Sequence, residues 1–74
     1  MTEQIFRLLY PPNLANIPII NQFVLKYNEL TVNILRAEII EGWAELQLIG
    51  NPGLIENAIN WLRKQGIEVQ TLGA

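Results

Sequence analysis

Backbone-breaking residues divide this chain into short pieces. Pro11-Pro12, Gly42, Asn51-Pro52 and Gly66 fall between apolar stretches of strand and helix length. Ile5 to Tyr10 is a compact apolar run, interrupted by Arg7 and closed by the two prolines, which cannot continue a ladder. It reads as a strand, and Asn13 to Ile17 as a loop. From Pro18 the apolar positions Ile20, Phe23, Val24 and Tyr27 follow three- and four-residue steps. That stripe marks the buried face of a helix, with Asn16 as its expected cap and Asn28 as its expected left-handed stop. Thr31 to Glu41 is rich in β-branched residues, and Trp43 to Ile49 alternates apolar with polar. The two read as strands joined by a tight hairpin around Glu41-Gly42. Asn51-Pro52 opens a second helix, because Asn caps well and Pro suits a first turn that needs no donor. Glu56 lies near its favoured positive end, Arg63 and Lys64 suit its last turn, and Gly66 stops it. Ile67 to Leu72 alternates again as a last strand.

The order is strand, helix, strand, strand, helix, strand. This is the split βαβ arrangement of a ferredoxin-like α+β fold, a four-stranded antiparallel sheet with two helices on one face. One domain over residues 1–74 is expected. Counting alternate residues assigns the faces. Phe6, Leu8, Leu35, Ala37, Ile39, Ala44, Leu46, Leu48, Ile67 and Val69 form a uniformly apolar set, expected beneath the helices. The opposite set holds Ile5, Arg7, Leu9, Ile34, Arg36, Glu38, Ile40, Trp43, Glu45, Gln47, Ile49, Glu68 and Gln70. Its large apolar members, Trp43, Ile40 and Ile49 among them, fall on adjacent strands. Single exposed apolar residues are ordinary, but several on neighbouring strands favour an association surface. Trp61 lies one heptad from Leu54 and is expected at the core edge.

Composition removes several functions. The chain has no Cys and no His and a net charge of −2. Disulfides, thiol chemistry, ordinary zinc sites and His-based catalysis are therefore excluded, and no metal or cofactor is expected. Nothing supplies the basic field that nucleic acid needs. The first residues lack a secretion signal, and no apolar run reaches membrane-spanning length, so a cytoplasmic protein without direct membrane insertion is expected. Half the residues are apolar. On so small a body, some of that surface is expected to be covered by a second copy or a protein partner.

Val32-Asn33-Ile34-Leu35-Arg36-Ala37 carries an Asn-Ile-Leu tripeptide at the start of the second strand. With Pro18 opening the first helix, Ala58-Ile59-Asn60-Trp61-Leu62, Gly66-Ile67-Glu68-Val69 and Leu72-Gly73, this pattern resembles the NIL domain over nearly the whole chain. That family is the small regulatory module at the C-terminal end of bacterial methionine-importer ATPases. The resemblance implies a ferredoxin-like fold, domains that work in pairs, and L-methionine or a related sulfur amino acid as ligand. It implies Asn33, with Ile34 and Leu35, as ligand-binding residues. The Gly-Lys-Ser/Thr phosphate loop of an ATPase is missing, so the resemblance is to a stand-alone regulatory domain.

The residues themselves leave alternatives. An amino acid needs donors for its carboxylate, acceptors for its ammonium and an apolar slot. Asn33 offers both from one amide, Ile34 or Leu35 can touch a thioether, and Arg36 can neutralise a carboxylate. Equally, Asn33 can bond its own backbone at the strand's start, and Arg36 can sit solvated. Because Asn33 shares parity with Leu35 and Ala37, a ligand role requires a rim position or a bulge that turns it outward. The rival to ligand binding is a protein-interaction module docking through the Trp43 face or a strand edge. Catalysis is not expected. The loop Pro11 to Asn16 lacks the Arg that an acylphosphatase needs, and Glu38, Glu41 and Glu45 read as exposed charges rather than a carboxylate pair. The stacking aromatics of an RNA reader are missing apart from Trp43, as are the paired cysteines of a copper carrier.

Overall fold

The computed structural model describes residues 1–14, 16–38 and 40–73. In chain order these form β1 (Thr2–Leu9), a short 3-10 turn (Pro12–Leu14), α1 (Ile19–Lys26), β2 (Thr31–Glu38), β3 (Trp43–Gly50), α2 (Pro52–Lys64) and β4 (Glu68–Gly73). The strands make one antiparallel sheet in the order β2-β3-β1-β4. The expected ferredoxin-like α+β topology is therefore present, with β2 and β4 at the edges.

The central strands carry the core. Phe6 and Leu8 of β1, and Ala44, Leu46 and Leu48 of β3, are buried on the helix side. Ile19 and Phe23 of α1 and Ile55, Ala58, Ile59 and Leu62 of α2 close over them, with Ile67 and Val69 completing the layer. Burying each of the Leu, Ile, Val and Phe side chains among them stabilises by about 1.5–3 kcal/mol relative to exposure. Trp61 does sit at the core edge. Its ring centroid lies 6.2 Å from those of both Phe23 and Tyr27, so three aromatic rings join α1 to α2. Ile39 lies outside the described residues.

α2 begins and ends as its sequence dictates. The Asn51 side chain accepts hydrogen bonds from Gly53 N at 2.8 Å and Leu54 N at 3.3 Å. At the far end Gly66 takes φ +96°, while Gly66 N donates to Arg63 O and Ile67 N to Leu62 O. Together these form a Schellman stop.

α1 departs from expectation at both ends. Pro18, not Asn16, holds the cap position, and no side chain bonds there. Asn28 has no left-handed conformation; the helix closes with Tyr27 N donating to Phe23 O. Tertiary packing of Ile19 and Phe23, rather than capping, holds this short helix.

The β2–β3 hairpin is wider than a tight turn. Glu38 pairs with Trp43, and Gly42 N donates to Glu38 O at 2.8 Å across the loop. Gly42 has φ +77°, a conformation L side chains resist.

Candidate functional site

β2 is an edge strand, and its phase changes part-way along. Thr31, Val32, Asn33 and Ile34 oppose Ile49, Leu48, Gln47 and Leu46 of β3. Beyond a bulge, Arg36, Ala37 and Glu38 oppose Glu45, Ala44 and Trp43. Directly opposed residues share a sheet face. Asn33, Arg36 and Glu38 therefore stand together on the open face, while Val32, Ile34 and Ala37 stand on the helix face. The bulge is the device that turns Asn33 outward. Two assignments made by simple alternation are corrected. Ile34 belongs to the helix side, and Leu35 is the extra residue of the bulge, 47% exposed, rather than a core residue.

Asn33 Nδ2 donates to Gln47 Oε1 at 3.0 Å. Its side chain is thus held by a cross-strand neighbour and not by its own backbone. Two residues along β3 from Gln47, Glu45 is only 8% exposed although it lies on the open side. Arg7 reaches it with Nη2 at 2.8 Å and Nε at 3.2 Å, and Arg36 Nε stands at 3.7 Å. Both guanidinium groups also lie by the Trp43 ring, 5.2 and 5.3 Å from its centroid. Trp43 Nε1 donates to Glu41 Oε2 at 3.0 Å. Trp43 is thereby the floor of a charged cluster. Arg36 keeps a side chain 68% exposed with donors to spare, next to Asn33 on the same face.

Ile40 and Ile49 are not gathered with Trp43. Ile40 is fully exposed in the hairpin loop, and Ile49 is half-buried at the opposite end of β3, opposed by Glu3 and Thr31. Six residues of strand, about 20 Å, separate Trp43 from Ile49.

On the helix side an apolar cavity of about 310 Å³ opens between the start of α1 and the β2–β3 hairpin, with Tyr10, Ile17, Ile20, Ile34, Ala37 and Trp43 in its lining. Burial there pushes the Tyr10 hydroxyl up to about 12. Ile34 thus links the cavity to the exposed edge. Among the described residues no cluster of carboxylates or other ligating groups suits a metal. No helix in them is long and apolar enough to cross a membrane.

The model of the NIL domain family matches residues 4–71. The chain belongs to the NIL domain family. Among solved structures, this NIL domain is similar to the C-terminal domain of an ABC transporter/ATP-binding protein from Enterococcus faecalis. The two share 32% identity, with a TM-score of 0.74, over 95% of this chain and 83% of that one. No curated protein matches this chain.

Sequence reasoning missed Gln47, Arg7 and Tyr10 as parts of the site, and took Glu45 for an exposed charge. The signal for the charge cluster was present once strand order is known. Arg7, Glu45 and Arg36 lie side by side on three neighbouring strands. Tyr10 gave no such signal, because the cavity forms only where the start of α1 faces the β2–β3 hairpin, residues far apart in the sequence.

Proposed function

We propose that this NIL domain is a regulatory module that binds a small amino acid, L-methionine or a related sulfur compound, and works as a pair of copies in the cytoplasm without catalysing a reaction. Membership of the family and similarity to a C-terminal ABC-transporter ATPase domain support the regulatory role. One observation carries the ligand reading. The β2 bulge sets Asn33 and Arg36 on a single exposed face at a free strand edge. In this reading Arg36 meets the ligand carboxylate and Asn33 meets the ammonium or carboxylate through its amide. The unpaired backbone of β2 supplies further donors and acceptors, and Ile34 and Leu35 offer apolar contact to the thioether.

Titration calorimetry tests it. L-methionine is expected to release or absorb heat saturably at millimolar concentration or below, with D-methionine and leucine weaker. Asn33→Ala is expected to weaken binding about tenfold or more, the loss of one or two good hydrogen bonds. Silence with all three amino acids would refute the ligand reading. A protein partner captured specifically, lost on Trp43→Ala and indifferent to amino acids, would support the rival interaction module instead.

A further inference from the structure

The open side of the sheet carries a charge pattern that the helix side lacks. Both helices pack on the other side, so among the described residues nothing covers Glu3, Ile5, Arg7 and Leu9 of β1 or their neighbours across the sheet. At the hairpin end Leu9 and Trp43 stand side by side, with Glu68 beyond Leu9 on β4 and Glu38 beyond Trp43 on β2. Glu41 joins them, held to the Trp43 indole. Further in, Glu45 lies between Arg7 and Arg36 and offsets part of their charge. Ile5, Leu9, Trp43 and Ile49 are half-buried, whereas Glu3, Glu38, Glu41 and Glu68 are exposed. The face thus has an apolar, aromatic middle with paired charges, and an acidic rim.

The rest of the molecule has the opposite balance. Of the seven acidic side chains only Glu29 and Glu56 lie away from this face, whereas Lys26, Arg63 and Lys64 make up three of the five basic ones. Excess negative charge is therefore confined to one face of a domain whose total is −2. Such a surface attracts a positive partner, repels phosphate backbones and anionic lipid, and steers encounter from a distance. It is also small. Four strands span about 14 Å and run about 20 Å, an area well below the ~800 Å² that a stable interface buries on each partner. Contact through it is brief and owes much to charge.

We infer that the open face of the sheet docks a basic segment of another protein, one that carries Lys or Arg side chains around an apolar centre. The apolar centre sits on Leu9 and Trp43. A tryptophan with arginines beside it is the composition in which interfaces concentrate their binding energy, and both guanidinium groups lie by the Trp43 ring. The partner's cations meet Glu38, Glu41 and Glu68, while their aliphatic stems lie along the apolar residues. An apolar middle inside a charged rim is the usual anatomy of a protein interface. The inference rests on the regulatory role proposed above, since a regulatory module must touch what it regulates, and not on the ligand's identity.

Three synthetic peptides of equal length test it, followed through the NMR shifts of the labelled domain. The first has lysines flanking a central pair of leucines. The second has glutamates in place of the lysines, and the third has glycines in place of the leucines. The first is expected to shift the amides of Glu38, Glu41 and Glu68 and the Trp43 indole N–H saturably, and to lose about tenfold in affinity between about 50 and 300 mM salt. The Glu38→Gln/Glu41→Gln/Glu68→Gln variant is expected to bind it about tenfold more weakly. Equal binding of the glutamate peptide, or equal binding by the variant, would overturn the choice of a basic partner. Equal binding of the glycine peptide would overturn the apolar centre. Shifts gathered on the helices or along the β2 edge would overturn the face. L-methionine calorimetry on the same samples keeps the two readings apart. Methionine heat without peptide binding sinks this inference alone, and peptide binding without methionine heat sinks only the ligand reading.

Discussion

A carboxylate as enclosed as Glu45 needs a countercharge, and Arg7 supplies it at 2.8 Å with Arg36 behind. Removing one partner of such a pair leaves the other stranded, whereas removing both can be almost neutral. Arg7→Met is therefore expected to cost about 1–3 kcal/mol in urea unfolding. The Arg7→Met/Glu45→Leu double variant is expected to recover most of that loss. An additive double variant would mean that the pair contributes nothing through its contact. Tyr10 makes a second prediction. Its hydroxyl ionises near 10.0 when unfolded and near 12 when folded, because burial disfavours the charge. Below pH 10 both states hold the proton. Between about 10 and 12 the unfolded chain releases it more readily, so stability falls as pH rises through that window. Tyr10→Phe is expected to flatten that part of the alkaline decline, measured by urea midpoints across the range. At the start of α2, Asn51→Ala is expected to cost about 1 kcal/mol through loss of the cap, seen as a lower urea midpoint with an unchanged slope.

At the scale of elements, the residues that were legible are those with a local cause. Asn51-Pro52 and Gly66 set the limits of α2 through bonds within a few residues of themselves. Strict alternation in β1 and β3 gave the buried face correctly, because those central strands are packed on one side. β2 was misread for a physical reason. Thr31 to Glu38 holds no Gly or Pro to mark the bulge at Leu35, and at an exposed edge an error of phase costs little burial to betray it. Asn16 and Asn28 were likewise misread, since α1 is fixed by Phe23 packing against α2 and not by its caps. The bulge makes its own prediction. Deleting Leu35 removes the extra residue and leaves Asn33 and Arg36 two positions apart, so both stay on the open face with the pairing of Ile34 to Leu46 and of Arg36 to Glu45 unbroken. The ligand heat is therefore expected to survive the deletion. Its loss in calorimetry, with the fold retained, would show that the bulged backbone itself, and not only the shared face, makes the site.

For the whole molecule, a 74-residue domain has a thin stability margin, so any species that binds only the folded state moves its melting point visibly. If copies pair, Tm is expected to rise with protein concentration, and L-methionine to raise it further in a saturable way. A Tm independent of both would argue against linked pairing and binding. The two tryptophans give such experiments a spatial readout. Trp43 lies on the open face between two guanidinium groups, and Trp61 lies among the rings that join the helices. With Trp61 replaced by Phe, the remaining fluorescence watches the sheet surface. With Trp43 replaced by Phe, it watches the seam between the helices. One chain thus carries two native optical probes on opposite layers, able to separate an event at the surface from a loosening of the interior.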